Sequence, residues 1–320
     1  DAAVPDARRR RVLVMRLRGR DEREGTVRAV LLGKHEPNTP EWDAIRSKGI
    51  GGSEIAAIVG LSPWQSKFSL WHQKRGTIGK QDVNAGMRWG TLLEPVICHV
   101  WADLHPEFVA LSAGTYRHEE RTWQLANCDR LLIDAKEFWQ NEDVPSSFLE
   151  VKTAHQYDAH EWGTGPEDVP PYYRCQVLWY MDVLELPEAH MAVLIGGSDY
   201  REYVIRYNVD EAEWLREQGR LFWESVKADE PPPLDGSEAT YEAVRRLHPE
   251  INGEDAELDP DLYARYVDSK ALAEESAKAH RQAKSEVLDA MGQAKRALVD
   301  ETPVLRRQPA RGGSVALYPI

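Results

Sequence analysis

Residues 148–153 read Phe-Leu-Glu-Val-Lys-Thr, an apolar run that ends in alternating charged residues. These residue types predict a β-strand. Because side chains alternate between the two faces of a strand, Glu150 and Lys152 lie on one face and Val151 on the other. A carboxylate and an ammonium would then share one site. The simpler interpretation of this pattern is an exposed ion pair on the surface of a sheet.

A second acidic residue, Asp129, precedes the apolar run 131–133, which predicts another strand. If the two strands pair, Asp129 lies beside Glu150. Two carboxylates and a backbone carbonyl, that of Val151, are hard oxygen ligands that suit Mg²⁺. Lys152 would orient or help to deprotonate a metal-bound water that attacks phosphorus. The pattern therefore predicts phosphodiester hydrolysis.

The segments around this motif predict helices that precede a sheet. Helical spacing covers residues 41–46, 53–59, 68–74, 88–103, 172–184 and 211–227. Strand-like runs cover residues 108–113, 122–126, 131–135, 148–153, 190–195 and 202–207.

The chain is predicted to have three parts. Residues 1–40 contain strand-like runs at 12–17 and 26–32 and are predicted to form a β-hairpin arm outside the core. Residues 41–230 form the core, because three successive prolines from Pro231 cannot continue the helix before them. Residues 231–320 form an extension with a long helix and a small hairpin. That helix packs on the core or on another subunit, or is exposed to solvent.

The composition limits the classes of protein. With 40 Lys and Arg against 53 Asp and Glu, the net charge of -13 excludes binding of polyanions through bulk attraction. Any nucleic acid must therefore meet a local basic lining. Three cysteines without a C-x-x-C pair argue against structural zinc and against a disulfide framework. No apolar run is long enough to cross a bilayer, so we expect a cytoplasmic protein without membrane contact.

The motif residues, in chain order, are Asp129, Glu150-Val151-Lys152, Gln176 and Tyr180. This set resembles the PD-(D/E)xK nuclease superfamily, and within it the lambda-exonuclease or YqaJ-like viral recombinase branch. Earlier segments resemble the opening motifs of that branch in the same order, and they are Trp42 to Arg46, Gly49 to Ile58 and Trp89 to Glu94. The resemblance covers residues 41–185.

The resemblance implies an α/β core, with a mixed central sheet flanked by helices, and it assigns roles to single residues. Glu94 would complete the metal site from a helix. Gln176 and Tyr180, four apart on one helical face, would hydrogen-bond the metal-site water, the phosphate or the carboxylates. Arg46 and Ser53 match the positions that hold the 5′-terminal phosphate of DNA.

Each of these residues also has a structural interpretation. Glu94 and Arg46 would then be exposed surface charges, Ser53 a helix N-cap and Tyr180 a core aromatic residue.

The sequence also departs from the family pattern. Cys128 and Arg130 replace the usual Pro and Gly around the metal-binding Asp. Asp134 could compete for the role of first ligand, but its odd spacing from Asp129 puts the two on opposite faces of a regular strand. Asp129 is therefore the predicted first ligand.

The function implied by the resemblance is a Mg²⁺-dependent 5′-to-3′ exonuclease on linear double-stranded DNA, with Mn²⁺ as a substitute. It would leave 3′ single strands for a single-strand annealing protein in phage-type recombination and would form a homotrimer. The alternatives are a related endonuclease or end trimmer, and a DNA-end-binding module without catalysis.

Overall fold

The computed structural model describes residues 29–35, 39–80, 84–140 and 144–320. The chain divides into two compact units, and the division falls between Pro249 and Glu250. The predicted strand at residues 12–17 lies outside the described residues.

The helices are α1 (Pro40–Arg46), α2 (Gly52–Ile58), α3 (Lys67–Arg75), α4 (Ala85–Leu104), α5 (Ala135–Trp139), α6 (Pro171–Leu184), α7 (Val209–Ala228), α8 (Glu238–Leu247) and α9 (Pro260–Met291). The strands are β1 (Val30–Gly33), β2 (Ile50–Gly51), β3 (Phe108–Ser112), β4 (Thr115–Arg117), β5 (Gln124–Ala126), β6 (Arg130–Asp134), β7 (Ser147–Ala154), β8 (Glu188–Ile195), β9 (Asp199–Arg206), β10 (Arg296–Val299), β11 (Thr302–Pro309) and β12 (Val315–Pro319).

Among the described residues, five strands form the central sheet in the order β3-β6-β7-β8-β9. Its middle strand, β7, carries Glu150, Val151 and Lys152. This strand pairs antiparallel with β6 and parallel with β8. The predicted mixed sheet is therefore confirmed, with the E-x-K motif at its centre.

Helix α4 covers one face of β7. Leu149 and Val151 are buried on this face, where they pack with Ile97 and Trp101 of α4. Their spacing of two residues sends both side chains to the same side of the strand. The apolar half of the motif therefore anchors α4 to the central sheet.

Helix α6 covers the opposite face of β7. The ring of Phe148 meets the ring of Tyr180 on α6, with their centroids 6.0 Å apart. Since Glu150 and Lys152 lie two and four residues after Phe148, they point to the same side of the strand. The charged half of the motif is therefore enclosed between the sheet and α6.

A smaller sheet has the strand order β1-β4-β5-β2. β1 pairs antiparallel with β4, and Ala29 just before it is buried in the main core. The prediction of an arm outside the core is therefore wrong for residues 29–33. The reason is that the partner β4 spans only three residues, which is too short to show a strand pattern in the sequence.

The boundary between the two units lies after Pro249 rather than after residue 230. Ser237 caps α8 by accepting a hydrogen bond from the backbone N–H of Thr240. Ala243 of this helix is buried against Phe68 of α3. Residues 231–249, which were predicted to belong to the extension, thus contribute a helix to the core.

The second unit contains α9 and the antiparallel sheet β10-β11-β12. The sequence predicted a hairpin here, and the structure adds a third strand. Asp300 and Glu301, with φ of 48° and 67°, form the tight turn between β10 and β11. Within the described residues, no helix combines the length and the apolarity needed to span a membrane.

Candidate active site

Glu150 is the most buried charged residue of the predicted site, with 3% of its surface exposed. Its Oε1 accepts hydrogen bonds from Lys152 Nζ at 2.6 Å and from Gln176 Nε2 at 2.5 Å. Its Oε2 is buried and has no hydrogen-bond partner among the described residues. An unpartnered buried carboxylate oxygen is costly, so Oε2 is available to a cation. The ion pair with Lys152 exists, but it is not the exposed pair of the simpler interpretation.

Asp129 lies one residue before β6, and the register of β6 with β7, continued by one residue, places it opposite Glu150. Its Oδ2 accepts a hydrogen bond from the backbone N–H of Val151 at 2.7 Å. The N–H and C=O of a strand residue point to the same edge. The Val151 carbonyl therefore points to the side of the strand where Asp129 lies. The predicted proximity of Asp129 and Glu150 is confirmed.

The two carboxyl groups hold their protons more strongly than usual. Burial, and then repulsion from Glu150, raise the pKa of Asp129 well above its usual value. Burial also raises the pKa of Glu150, although Lys152 opposes this. Burial alone would lower the pKa of Lys152, but the attraction of Glu150 outweighs it and the pKa is raised. Ionisation of both carboxyl groups is therefore costly in this site, and a cation between them would offset that cost.

Glu94 of α4 lies near this pair, but its carboxylate faces another partner. Its Oε1 accepts a hydrogen bond from Arg130 Nη1 at 3.1 Å. Burial is the main cause of the raised pKa of Asp129 and of Glu150, and the negative charge of Glu94 makes a smaller contribution in the same direction. In the described part of the chain, no three Asp, Glu, His or Cys side chains are gathered closely enough to hold a metal ion. Glu94 as a third ligand stays a prediction, and it requires Glu94 to leave Arg130.

Gln176 and Tyr180 lie one turn apart on α6 and face Glu150. Besides its bond to Glu150, Gln176 Nε2 lies 3.3 Å from the hydroxyl of Tyr180. Tyr180 is 2% exposed, and burial raises its pKa, so the hydroxyl stays protonated. It is thus both a core aromatic residue and a neighbour of the candidate metal site. Tyr173 adds its ring below Lys152, whose Nζ lies 4.9 Å from the ring centroid.

Arg46 and Ser53 lie together, as predicted, but in a buried network. Arg46 is 7% exposed, so the surface-charge interpretation is wrong. Its Nη2 donates to Ser53 Oγ at 3.0 Å and lies 3.2 Å from Glu54 Oε1. Lys74 Nζ lies 2.9 Å from the same Glu54 oxygen. Arg46 Nε is buried without a partner among the described residues, so the guanidinium keeps a free donor.

The structural interpretation of Ser53 as the N-cap of α2 is wrong. Gly51, not Ser53, is the N-cap, and its N–H donates to Glu54 Oε2 at 2.8 Å. A Cβ on Gly51 would lie 2.0 Å from Arg46 Nη1. A Cβ on Gly52 would lie 2.5 Å from the ring of Tyr180. The two glycines therefore let Arg46 pass on one side and α6 approach on the other.

Sequence reasoning missed several residues of this region, and they are Glu54, Lys74, Arg130 and Tyr173. Glu54 left a signal, since an acidic residue three positions after an N-cap is typical of a capping box. Burial alone would raise the pKa of Glu54, but the charges of Arg46 and Lys74 outweigh it and lower the pKa. Glu54 is therefore an ionised carboxylate that fixes two cations.

The donor set fits a hard divalent cation. Asp129 and Glu150 supply carboxylate oxygens and Val151 supplies a carbonyl oxygen, and one buried oxygen of Glu150 has no partner among the residues that the structure describes. Mg²⁺ needs only one or two protein carboxylates, since it keeps several waters. No nitrogen or sulfur ligand is required. The residues present can therefore hold Mg²⁺.

The fold and the site define a class of protein. An E-x-K motif on the central strand of a mixed sheet, with an acidic residue at the start of the neighbouring strand, is the arrangement of PD-(D/E)xK proteins. The model of the YqaJ-like viral recombinase domain matches residues 41–187. Over 234 residues the chain is 31% identical to the YqaJ protein of Bacillus subtilis. This match covers 72% of this chain and 70% of that protein. The chain belongs to the YqaJ-like viral recombinase family.

Two solved structures are also similar. The alkaline exonuclease of Laribacter hongkongensis is 17% identical, with a TM-score of 0.48, over 60% of this chain and 94% of that chain. A phage-related exonuclease from Haemophilus somnus is 9% identical, with a TM-score of 0.41, over 57% of this chain and 96% of that chain.

Proposed function

We propose that this protein is a Mg²⁺-dependent exonuclease that degrades linear double-stranded DNA from the 5′ end. The observation that carries the proposal is the buried Glu150, with Lys152 and Gln176 on one oxygen and no partner within the described residues on the other. A carboxylate that only stabilised the fold would have donors at both oxygens. Membership of a viral recombinase family supports DNA as the substrate.

Asp129, Glu150 and the Val151 carbonyl would hold the metal. When bound, Mg²⁺ would lower the pKa of a water and neutralise charge that develops on the phosphate. Lys152 Nζ, fixed 2.6 Å from Glu150, would offer a positive charge to a phosphate oxygen and would help to orient the attacking water. Gln176 holds Glu150 in place through the same oxygen. Tyr180, protonated through its raised pKa, serves as a hydrogen-bond donor.

Arg46 and Ser53 would hold the 5′-terminal phosphate. The buried guanidinium offers an Nε that no described residue partners, and Glu54 fixes its orientation. Gly52 places the start of α2 against Tyr180, so this end-binding pair adjoins the residues around Glu150. A phosphate on Arg46 would thus set the distance from the DNA end to the scissile bond.

The wider role follows from this chemistry. Removal of nucleotides from the 5′ end leaves a 3′ single strand, which is the substrate of a single-strand annealing protein in phage-type recombination. We extend the proposal to such a partner, to Mn²⁺ as a substitute metal, to a homotrimer, and to activity in the cytoplasm of a bacterium or of a phage-infected cell.

The direct test is digestion of linear duplex DNA with Mg²⁺ or with EDTA. We expect degradation with Mg²⁺ only, and loss of activity to background in Glu150→Ala. Lys152→Ala should lose about 10²–10³-fold, the usual cost of removing one preorganised group that stabilises developing charge. Glu213→Ala and Lys227→Ala, which change exposed residues of α7, are matched controls and should retain activity.

Degradation that persists in both Glu150→Ala and Lys152→Ala would contradict the mechanism. Cutting of closed circles would instead identify an endonuclease, and binding without turnover an end-binding module.

The role of Arg46 is tested by comparing duplexes with 5′-phosphate and 5′-hydroxyl ends. Arg46→Ala should reduce the ratio of the two rates by about 10-fold or more, since a hydrogen bond to a charged group contributes about 1.5–3 kcal/mol. Arg46→Lys retains the charge and should retain part of the preference. Equal loss on both substrates would mean that Arg46 supports the fold through Glu54 rather than binding the DNA end.

A further inference from the structure

The sheet β10-β11-β12 has a charge opposite to that of the whole chain. Residues 292–320 contain five Lys and Arg and two acidic residues, whereas the complete chain has a net charge of -13. Both acidic residues, Asp300 and Glu301, lie in the turn between β10 and β11. Since strands rise about 3.3 Å per residue, this turn lies about 13 Å along the strand from Arg296. The rest of the sheet is therefore basic.

Two arginines and a tyrosine form a row across this sheet. Arg296 lies opposite Arg306 on the neighbouring strand, and Arg306 lies opposite Tyr318 on the next. Residues opposite each other in antiparallel strands project to the same face, with Cβ atoms about 4.5–5.5 Å apart. All three residues are exposed, Tyr318 to 44%. We call Arg296, Arg306 and Tyr318 the basic row.

Within the part of the chain that the structure describes, the two arginines of the basic row have no partner of their own. Like charges directly opposite each other destabilise a sheet. Among the described residues, neither Arg296 nor Arg306 is part of an ion pair or of a side-chain hydrogen bond, in contrast to Arg307. Arg307 lies on the opposite face, and its guanidinium donates to the carbonyl of Gly292. The basic row therefore presents two unneutralised guanidinium groups beside an aromatic ring.

We propose that the basic row binds single-stranded DNA. Arg296 and Arg306 would contact neighbouring phosphates, and Tyr318 would stack on an unpaired base. Stacking requires an unpaired base, so the tyrosine favours a single strand over a duplex. The local positive charge is needed, because the net charge of the chain opposes any DNA contact by bulk attraction.

This site is a second DNA contact, in the unit that the nuclease motifs do not reach. It rests on the proposed function only for the source of the strand, which would be the 3′ single strand left by digestion. Binding itself requires no hydrolysis, so the two proposals fail independently.

The test is fluorescence anisotropy of a labelled oligothymidine with the full chain in EDTA, so that hydrolysis is prevented. Arg296→Ala combined with Arg306→Ala should weaken binding about 10-fold or more. It should also lower the slope of log K against log salt by about 1.4, since each phosphate contact on a single strand contributes about 0.7. Arg265→Ala combined with Arg281→Ala removes the same charge from exposed positions of α9 and should leave both quantities near wild type.

Tyr318 separates single-strand binding from general attraction of phosphates. Tyr318→Ala should weaken oligothymidine binding about 10-fold, whereas Tyr318→Phe retains a ring and should bind like wild type. Melting curves of all variants check that the sheet is folded, and replacement of both arginines by lysine retains the charge if the alanine variant does not fold.

Several results would overturn the proposal. One is an unchanged affinity and salt slope in the double arginine variant. Another is an equal loss in the α9 control. If the arginine variant affects only duplex DNA and Tyr318→Ala has no effect, the surface binds duplex instead. Oligothymidine binding without nuclease activity in the wild type would remove the proposed nuclease and leave the basic row intact.

Discussion

Two carboxylates of this protein are almost equally buried and have opposite surroundings. Glu150 on β7 is 3% exposed and Asp182 on α6 is 6% exposed. From the described residues, Glu150 receives donors at one oxygen only. Asp182 has donors at both oxygens, and they come from Arg121, Gln124, Tyr207 and Arg216. The shortest of these bonds, from Gln124 Nε2 and from Arg216 Nη2, are both 2.7 Å.

The pKa values follow this difference. Burial alone would raise the pKa of Asp182, but hydrogen bonds from Arg216 and Gln124 and the charge of Arg121 outweigh it and lower the pKa. Burial raises the pKa of Glu150, and the positive charge of Lys152 opposes this rise only in part. Burial therefore does not decide what a buried carboxylate does. The number of donors around it distinguishes a carboxylate that ties helices together from one that is available to a cation.

The comparison predicts that a neutral amide destabilises the protein much more at position 182 than at position 150. Asp182→Asn should lower the free energy of unfolding by about 3 kcal/mol, because it leaves Arg121 and Arg216 without their anion. Glu150→Gln should change it by about 1 kcal/mol or less, since the amide oxygen still accepts from Lys152 and the repulsion from Asp129 disappears. Urea denaturation measures both values. Similar losses in the two variants would mean that Glu150 is a structural residue like Asp182.

Mg²⁺ should raise the melting temperature of the protein by binding at Glu150 and not at Asp182. A ligand at about 100 times its Kd stabilises the folded state by about 2.7 kcal/mol. The raised pKa of Asp129 and of Glu150 favours the folded protein at low pH, and this contribution is lost as the pH rises through the raised values. Since Mg²⁺ competes with these protons, the shift in Tm should increase with pH.

Two variants serve as controls for this shift. Glu150→Gln should abolish most of it, whereas Asp182→Asn should retain it although the protein is less stable. An equal shift in Glu150→Gln would place the cation elsewhere.

The smallest expected effect concerns His118, which lies near Asp182 and Arg121 and is 1% exposed. Its Nδ1 accepts hydrogen bonds from the N–H groups of Glu120 and Arg121 at 3.2 and 3.1 Å. Burial, assisted by the charge of Arg121, lowers the pKa of His118 to about 4. Since the unfolded chain binds this proton near pH 6.5, stability should fall as the pH falls from about 6.5 towards 4.

His118→Asn retains an acceptor for the two N–H groups and cannot titrate. Urea denaturation between about pH 4.5 and 7 should show a shallower loss of stability in this variant than in the wild type. An unchanged slope would assign the acid sensitivity of this region to the carboxylates instead.

The longer elements could be predicted from the sequence because their periodicity is visible. β7 extends the predicted run 148–153 by one residue at each end, and α6 extends the prediction 172–184 by one. β2 and β4, with two and three residues, have no period to detect, and only their hydrogen-bonded partners define them. The amphipathic α8 was missed because it lies between prolines and acidic turns.

The candidate site was predicted in part. The odd spacing of Asp129 and Asp134 correctly predicted that the two carboxylates have different positions. Asp129 faces β7, whereas Asp134 caps α5 by accepting a hydrogen bond from the backbone N–H of Lys136. The proximity of Arg46 to Ser53 was predicted from the resemblance. The burial of Arg46 and its link to Glu54 were not, because they depend on how α2 and α3 pack.

By itself the sequence determined the alternation that places Glu150 and Lys152 on one face, since a strand repeats every two residues. It also determined that Gln176 and Tyr180 share a face of α6. Only the tertiary structure decided which oxygen of each buried carboxylate has a partner. Those partners come from elements far apart in the chain, Gln176 being 26 residues from Glu150 and Arg216 34 from Asp182. The energy of a buried charge depends on all its neighbours at once, and no local pattern records them.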